Sequence, residues 1–198
     1  MMGRMLAVAL CLAVAPLPRL TAQWSVTVEA TASYFGGASR DAGADPTAIR
    51  PHHPISLGLR VDRRFGRLGI GVAAARAAPD MIAENHGGGI VAKGALDWYE
   101  VAPEVAVLLG KRESGAAVRV HAGPLIDIWS PDGADTRTRV GGHAGVSLEW
   151  PLSVRFAGSI RAAAAVTGSL FDPGELPSGF GRRVMWRRSM SLGVRYRL

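Results

Sequence analysis

Trp24–Tyr34 reads WSVTVEATASY, with Trp24, Val26, Val28, Ala30, Ala32 and Tyr34 alternating with Ser25, Thr27, Glu29, Thr31 and Ser33. Side chains along a strand point to opposite faces in turn, so this stretch predicts a strand with one wholly polar face. Its other face is apolar and aromatic at both ends. The pattern recurs seven times: 55–62 (ISLGLRVD), 68–76, 98–109 (WYEVAPEVAVLL), 116–129, 138–150, 154–166 and 186–198. In the last, Trp186, Met190, Leu192, Val194, Tyr196 and Leu198 oppose Arg187, Ser189, Ser191, Gly193, Arg195 and Arg197. The expectation is an all-β chain with eight strands.

The connections alternate in length. Phe35–Pro54, Ala77–Asp97 and Thr167–Met185 are long, Ser130–Arg137 is intermediate, and 63–67 (RRFGR), 110–115 and 151–153 are short. Most strands also have the roughly 9–11 residues that cross a bilayer at a tilt. Short turns at one end, longer loops at the other and an even strand count predict an eight-stranded antiparallel up-and-down transmembrane β-barrel with a polar, filled lumen. A soluble barrel with its apolar face inward, lipocalin-like, is the competing orientation. Trp24, Tyr34, Tyr99, Trp129, Trp150, Trp186 and Tyr196 near strand ends favour the membrane orientation, as interfacial girdles.

Residues 1–22 read as a secretory signal peptide: Arg4, the apolar run MLAVALCLAVA at 5–15, and a small residue, Ala22, before Gln23. The run is too short for a spanning helix, and the context of Cys11 argues against lipidation. The barrel domain is then 23–198, in the outer membrane with both termini periplasmic. The lone Cys11 excludes a disulfide framework and a cysteine zinc site. The formal charge of +7 rests on 23 basic residues, all Arg except Lys93 and Lys111, mostly spread singly. A GC-rich genome that favours Arg over Lys is one reading of that excess. Nucleic-acid binding is not expected, for want of a stacking platform among the basic residues.

On the polar faces Glu29, Asp62, Glu100, Glu104, Asp127 and Glu149 meet Arg60, Arg119, Arg139, Arg155, Arg161, Arg187 and Arg195. Such near-neutrality is what a low-dielectric interior demands. A lumen charge network of Glu104, His121, Arg119, Glu149, Arg155, His143 and Arg161 is expected. Tight hairpins would set Glu149 opposite Arg155, His143 opposite Arg161 and Glu104 opposite His121.

The pattern resembles the small eight-stranded outer-membrane barrels of the OmpA-transmembrane and OmpX/OmpW-like class. Its most specific part is MSLGVRYRL, with Met190, Leu192, Val194, Tyr196 and Leu198 apolar, similar to the carboxy-terminal signal read by the barrel-assembly machinery. Family members usually end in Phe, where this chain has Leu198. The resemblance implies outer-membrane location and assembly by that machinery, and no particular activity.

The functional expectation is a monomeric structural or surface-interaction barrel (adhesion or envelope integrity), with no catalytic residue, cofactor or metal. A narrow pore or small-ligand transporter is the alternative, and an outer-membrane lipid hydrolase a further one. A hydrolase would need Ser, His and an acid together at the membrane edge. His121, His143, Ser147 and Ser159 all fall on lumen positions instead, with Glu104 able to orient His121. His52 and His53, with Asp41 and Asp45 upstream, form a weak metal pattern, because adjacent His side chains point apart in most loops. Arg182, Arg183 and Arg188, near the outer end of the last strand, are candidates for lipopolysaccharide phosphates.

Overall fold

The computed structural model describes residues 23–37, 39–41, 47–85, 87–94, 96–176 and 178–198. The expected signal peptide at 1–22, with Cys11, lies outside the described residues, as does Asp45. Thirteen strands and no helix form among the described residues.

Eight strands close a barrel: β1 (Gln23–Phe35), β4 (Ile55–Phe65), β5 (Leu68–Ala77), β8 (Leu96–Lys111), β9 (Ala117–Pro131), β10 (Arg137–Pro151), β11 (Phe156–Thr167) and β13 (Met185–Arg197). Each pairs antiparallel with its neighbour in this order, and β13 returns to β1 from Ser25↔Arg197 to Phe35↔Arg187. The alternation has the predicted consequence. On β1, Ser25, Thr27 and Ser33 are buried while Val28, Ala30, Ala32 and Tyr34 are exposed. On β13, Arg187, Ser191 and Arg195 are buried while Met190, Leu192 and Val194 are exposed. The barrel is apolar outside and polar inside.

The long connections are not simple loops. They supply β2 (Ser39–Asp41), β3 (Ala48–His52), β6 (Asp80–Asn85), β7 (Gly88–Ala92) and β12 (Phe180–Arg182), which pair as a second sheet in the order β12-β2-β3-β6-β7. The Gly88-Gly89 tract, loop-like in composition, is thus the start of an edge strand. Arg50 on β3 ties this sheet together. It donates to Glu84 on β6 at 2.7 and 3.0 Å and lies 4.7 Å over the Tyr34 ring at the barrel rim. The arrangement gives the barrel a sheet end and a short-turn end. At the latter, β4 and β5 are joined by Gly66 and Arg67, with Gly66 at φ 60°, the left-handed conformation that suits glycine.

The hairpin registers differ from the simple expectation. Glu149 stands opposite Ser159, and Pro151 opposite Ala157, so the β10–β11 turn is wider and Arg155 falls within it. His143 pairs with Ala165, and Arg161 with Ser147. The β8–β9 hairpin closes at Lys111↔Ala117 and a bulge between Leu108 and Gly110 adjusts the register further in, so His121 stands opposite Ala106 rather than Glu104.

Candidate functional site

The lumen is the place where chemistry-bearing side chains converge, and it is built in layers. Nearest the short turns, Asp62 accepts from Ser25 at 2.9 Å, from Arg64 at 3.3 Å and from Arg195. Glu149 accepts from Arg64 Nη2 at 2.7 and 2.8 Å and from Arg195, with Arg119 Nε 3.7 Å away. One layer further in, Glu104 gathers three partners. Arg161 donates at 2.6 and 3.3 Å, Arg60 Nε is 3.3 Å away, and His143 Nε2 is 3.6 Å away. Arg60 also donates to Glu29. His121 lies beside this layer, its ring 6.1 Å from that of His143. Gly145 makes room for it, since a Cβ there would stand 2.5 Å from His121 Nε2 and 2.3 Å from the Ala162 carbonyl oxygen.

Above this the chemistry changes. Arg187 pairs with Glu100 and lies 4.7 Å over Trp98, whose indole N–H donates to Asp127 at 2.9 Å. Trp98 stacks on Trp129 at 5.5 Å, and Phe35 meets both edge-on at 5.6 Å. Leu96, Leu170, Met185 and Ala77 complete a buried apolar cluster across the sheet end of the lumen. At the rim Arg139 donates to Asp172 at 2.6 Å and Arg137 pairs with Glu175, anchoring the 167–185 connection over the mouth.

Six of the seven expected network residues are gathered in the lumen: Glu104, His121, Arg119, Glu149, His143 and Arg161 are all buried. Arg155 is not among them. It is exposed in the β10–β11 turn, where it donates to the Tyr196 hydroxyl at 3.3 Å. The turn is too wide to carry it into the barrel. Arg64 takes its place as Glu149's partner. Extending the 55–62 alternation by two residues puts Arg64 on the same face as Arg60 and Asp62, so the signal was present in the sequence. Trp129, expected in an interfacial girdle, is fully buried in the apolar cluster. It shares the parity of Asp127, which points inward.

Among the described residues, neither lumen His hydrogen-bonds a serine hydroxyl, and no group of three or more His, Cys, Asp or Glu is arranged for a metal. His52 and His53 have stacked rings, 4.6 Å apart, and Asp41 lies on β2. Burial and nearby Arg50 push His53 below the usual imidazole value. Arg182 on β12, Arg183 and Arg188 are all exposed, and Arg188 lies 4.8 Å over the Trp186 ring on the outer wall.

No protein-family model matches the chain, and no curated protein matches its sequence. Solved structures do share its fold. Neisserial surface protein A (NspA) aligns with a TM-score of 0.57 at 14% identity, covering 87% of this chain and 96% of that one. Outer membrane protein AlkL, determined in DMPC bilayers, aligns at 0.56 and 12% identity, covering 89% and 90%. Ail, the attachment invasion locus protein of Yersinia pestis, in complex with the heparin analogue sucrose octasulfate, aligns at 0.50 and 12%, covering 89% and 99%. The fold is therefore that of the small eight-stranded outer-membrane barrels, and at these identities the likeness is one of fold.

Proposed function

We propose that this chain is an outer-membrane barrel of the structural or surface-interaction type, which seals its own lumen and displays the five-stranded sheet outside the cell. One observation carries the reading: the barrel strands turn an apolar face outward, while ion-paired side chains fill the lumen from its middle to the short-turn end. Ile55, Leu57, Leu59, Met190, Leu192 and Val194 are all exposed, and soluble monomers rarely expose contiguous apolar patches beyond a few hundred Å². A closed sheet also satisfies all backbone groups within lipid. Residues 1–22, as an export signal, supply the route, and Met190 to Leu198 the segment for the barrel-assembly machinery. Both barrel termini then face the periplasm.

The sealed lumen weighs against the pore alternative. Two cavities within it measure about 20 and 40 Å³, room for a few waters. The arrangement of His121 and His143 offers no nucleophile–base pair to the hydrolase alternative. Lipopolysaccharide is the outer-leaflet partner we infer. A shallow groove of about 870 Å³ runs down the wall past Ala144, Ala162, Ala164 and Met190, with Tyr34 and Arg188 also lining it. An acyl chain fits such a lining, and its phosphate would meet Arg188, with Arg182 and Arg183 further along the rim.

Fractionation of cells, with heat-modifiability of the band on a gel, tests the reading. The expected result is an outer-membrane protein whose folded form, stable only in detergent or lipid, migrates differently before heating. A mature chain that stays folded and dispersed in plain buffer would refute it. For the rim arginines, the Arg182→Ala, Arg183→Ala, Arg188→Ala triple variant should alter polymyxin or detergent sensitivity, and wild-type behaviour would count against the lipopolysaccharide contact.

A further inference from the structure

At the short-turn end the lumen opens into a vestibule of about 390 Å³, whose polar lining is Gln23, Arg64, Lys111, Arg119, Glu149 and Arg197. Four of these side chains are cationic and one is an acid. That acid is already engaged by Arg64 and Arg195. The neighbouring acid, Asp62, is engaged by Ser25, Arg64 and Arg195. Arg119 keeps only the longest of Glu149's ion pairs. It is 7% exposed, its Nε stands 3.7 Å from Glu149, and neither its Nε nor its Nη1 has a hydrogen-bond partner. A buried guanidinium with idle donors is costly unless an anion completes it. Around the opening, Arg67, Arg112 and Arg155 are exposed and outnumber Glu113.

We propose that this vestibule is an anion site for a phosphate group, with Arg119 at its floor and Arg64, Arg197 and Lys111 around it. A phosphate rather than a lone carboxylate fits the surplus. Cations from four different strands or strand ends converge, so a group with several oxygens and more than one negative charge uses them best. The volume falls within the range of small-molecule sites, about 300–1,000 Å³. It opens only toward the short turns, since the ion-paired layers and the aromatic cluster close the lumen above. The phosphate therefore arrives from that side, either on a small solute or on the headgroup of a lipid in the adjoining leaflet.

The test uses the chain folded in an uncharged detergent and, separately, in nanodiscs. In detergent, inorganic phosphate is titrated at constant ionic strength against chloride and followed by phosphorus NMR or calorimetry. In nanodiscs, phosphatidylcholine alone is compared with phosphatidylcholine containing phosphatidic acid. Saturable binding of phosphate, weakened about ten-fold or more by Arg119→Gln, supports the site with a soluble phosphate as ligand. A response confined to the phosphatidic acid nanodiscs, and lost in Arg119→Gln, supports it with a lipid headgroup. Binding that Arg119→Gln leaves unchanged, chloride binding as strong as phosphate, or no response in either arm overturns it. If Arg119→Gln does not fold, the Lys111→Gln, Arg197→Gln double variant takes its place, and undiminished binding there overturns the proposal equally. None of these outcomes depends on where the barrel resides in the cell, which the fractionation decides separately.

Discussion

The two mouths of the barrel are closed by different means. At the sheet end, Phe35, Trp98, Trp129, Leu96, Leu170 and Met185 form a dry aromatic and aliphatic plug. At the short-turn end only ion pairs narrow the lumen, and beyond them lies an open, basic vestibule. The contrast follows from chain length. Leu170 belongs to the connection between β11 and β13, which is long enough to fold back over the mouth and is held there by Arg137 and Arg139. The Gly66–Arg67 turn has no residues to spare for such a cover. An eight-stranded barrel is about as wide as its own side chains, so the middle is filled by paired charges. Whether an end is greasy or ionic depends on what the adjoining connection can bring.

The largest effect is expected in the ionic half. Glu104→Leu leaves Arg60, Arg161 and His143 around an empty acid position, and a broken buried pair typically costs about 3–5 kcal/mol. The folded band should convert at clearly lower temperature or urea concentration, and adding Arg161→Leu should recover part of the loss. Trp129→Ala attacks the other mouth, at about 3–5 kcal/mol for a large buried aromatic. Because the ion-paired layers remain, planar bilayers should still show no steady current. A stable conductance would mean that the plug, rather than the charges, is the seal. Leu192→Arg on the outer wall should cost about 2–4 kcal/mol in lipid if the position is near the membrane midplane. The same change on a water-facing surface would be close to neutral, so unfolding titrations in vesicles distinguish the two.

The smallest effect is on the outer sheet. The hydrogen bond from Arg50, with its charge, holds the Glu84 carboxyl below its ordinary value. The folded-state value being the lower one, the pair stabilises the sheet above the ordinary carboxylate range, near pH 4.3, and that contribution is lost as pH falls through the depressed value. Amide protection factors in β3 and β6, with the intrinsic pH dependence of exchange divided out, should therefore fall in acid while those of the barrel strands hold, and Glu84→Gln should remove that fall.

The barrel was legible in the sequence because its strands obey a two-residue period on their own, residue by residue. From Trp24–Tyr34 to 186–198, the faces are the ones the alternation implies. The register was not, because it depends on the width of the β10–β11 turn and on the bulge at Leu108/Gly110, which periodicity does not encode. The outer sheet was missed for a related reason. Its strands run from three to six residues, and β2, β3 and β12 find partners from three separate connections, so no local pattern marks them. Within the lumen, Glu104, Arg161 and His143 are expected on inward positions, but the contacts Glu104 makes with Arg161 and His143 are not the Glu104–His121 and His143–Arg161 pairs that simple hairpins imply. Charge balance tells which residues must meet inside a cylinder, and only the shear of the strands tells which ones do.

The seam between β1 and β13 is what closes the cylinder. Until Met185–Arg197 is in place, β1 and β11 each carry a row of unsatisfied amides and carbonyls, a condition that hydrocarbon does not tolerate. A chain lacking Met185–Arg197 therefore has two open edges, and in lipid it should be unstable or pair with a second copy of itself.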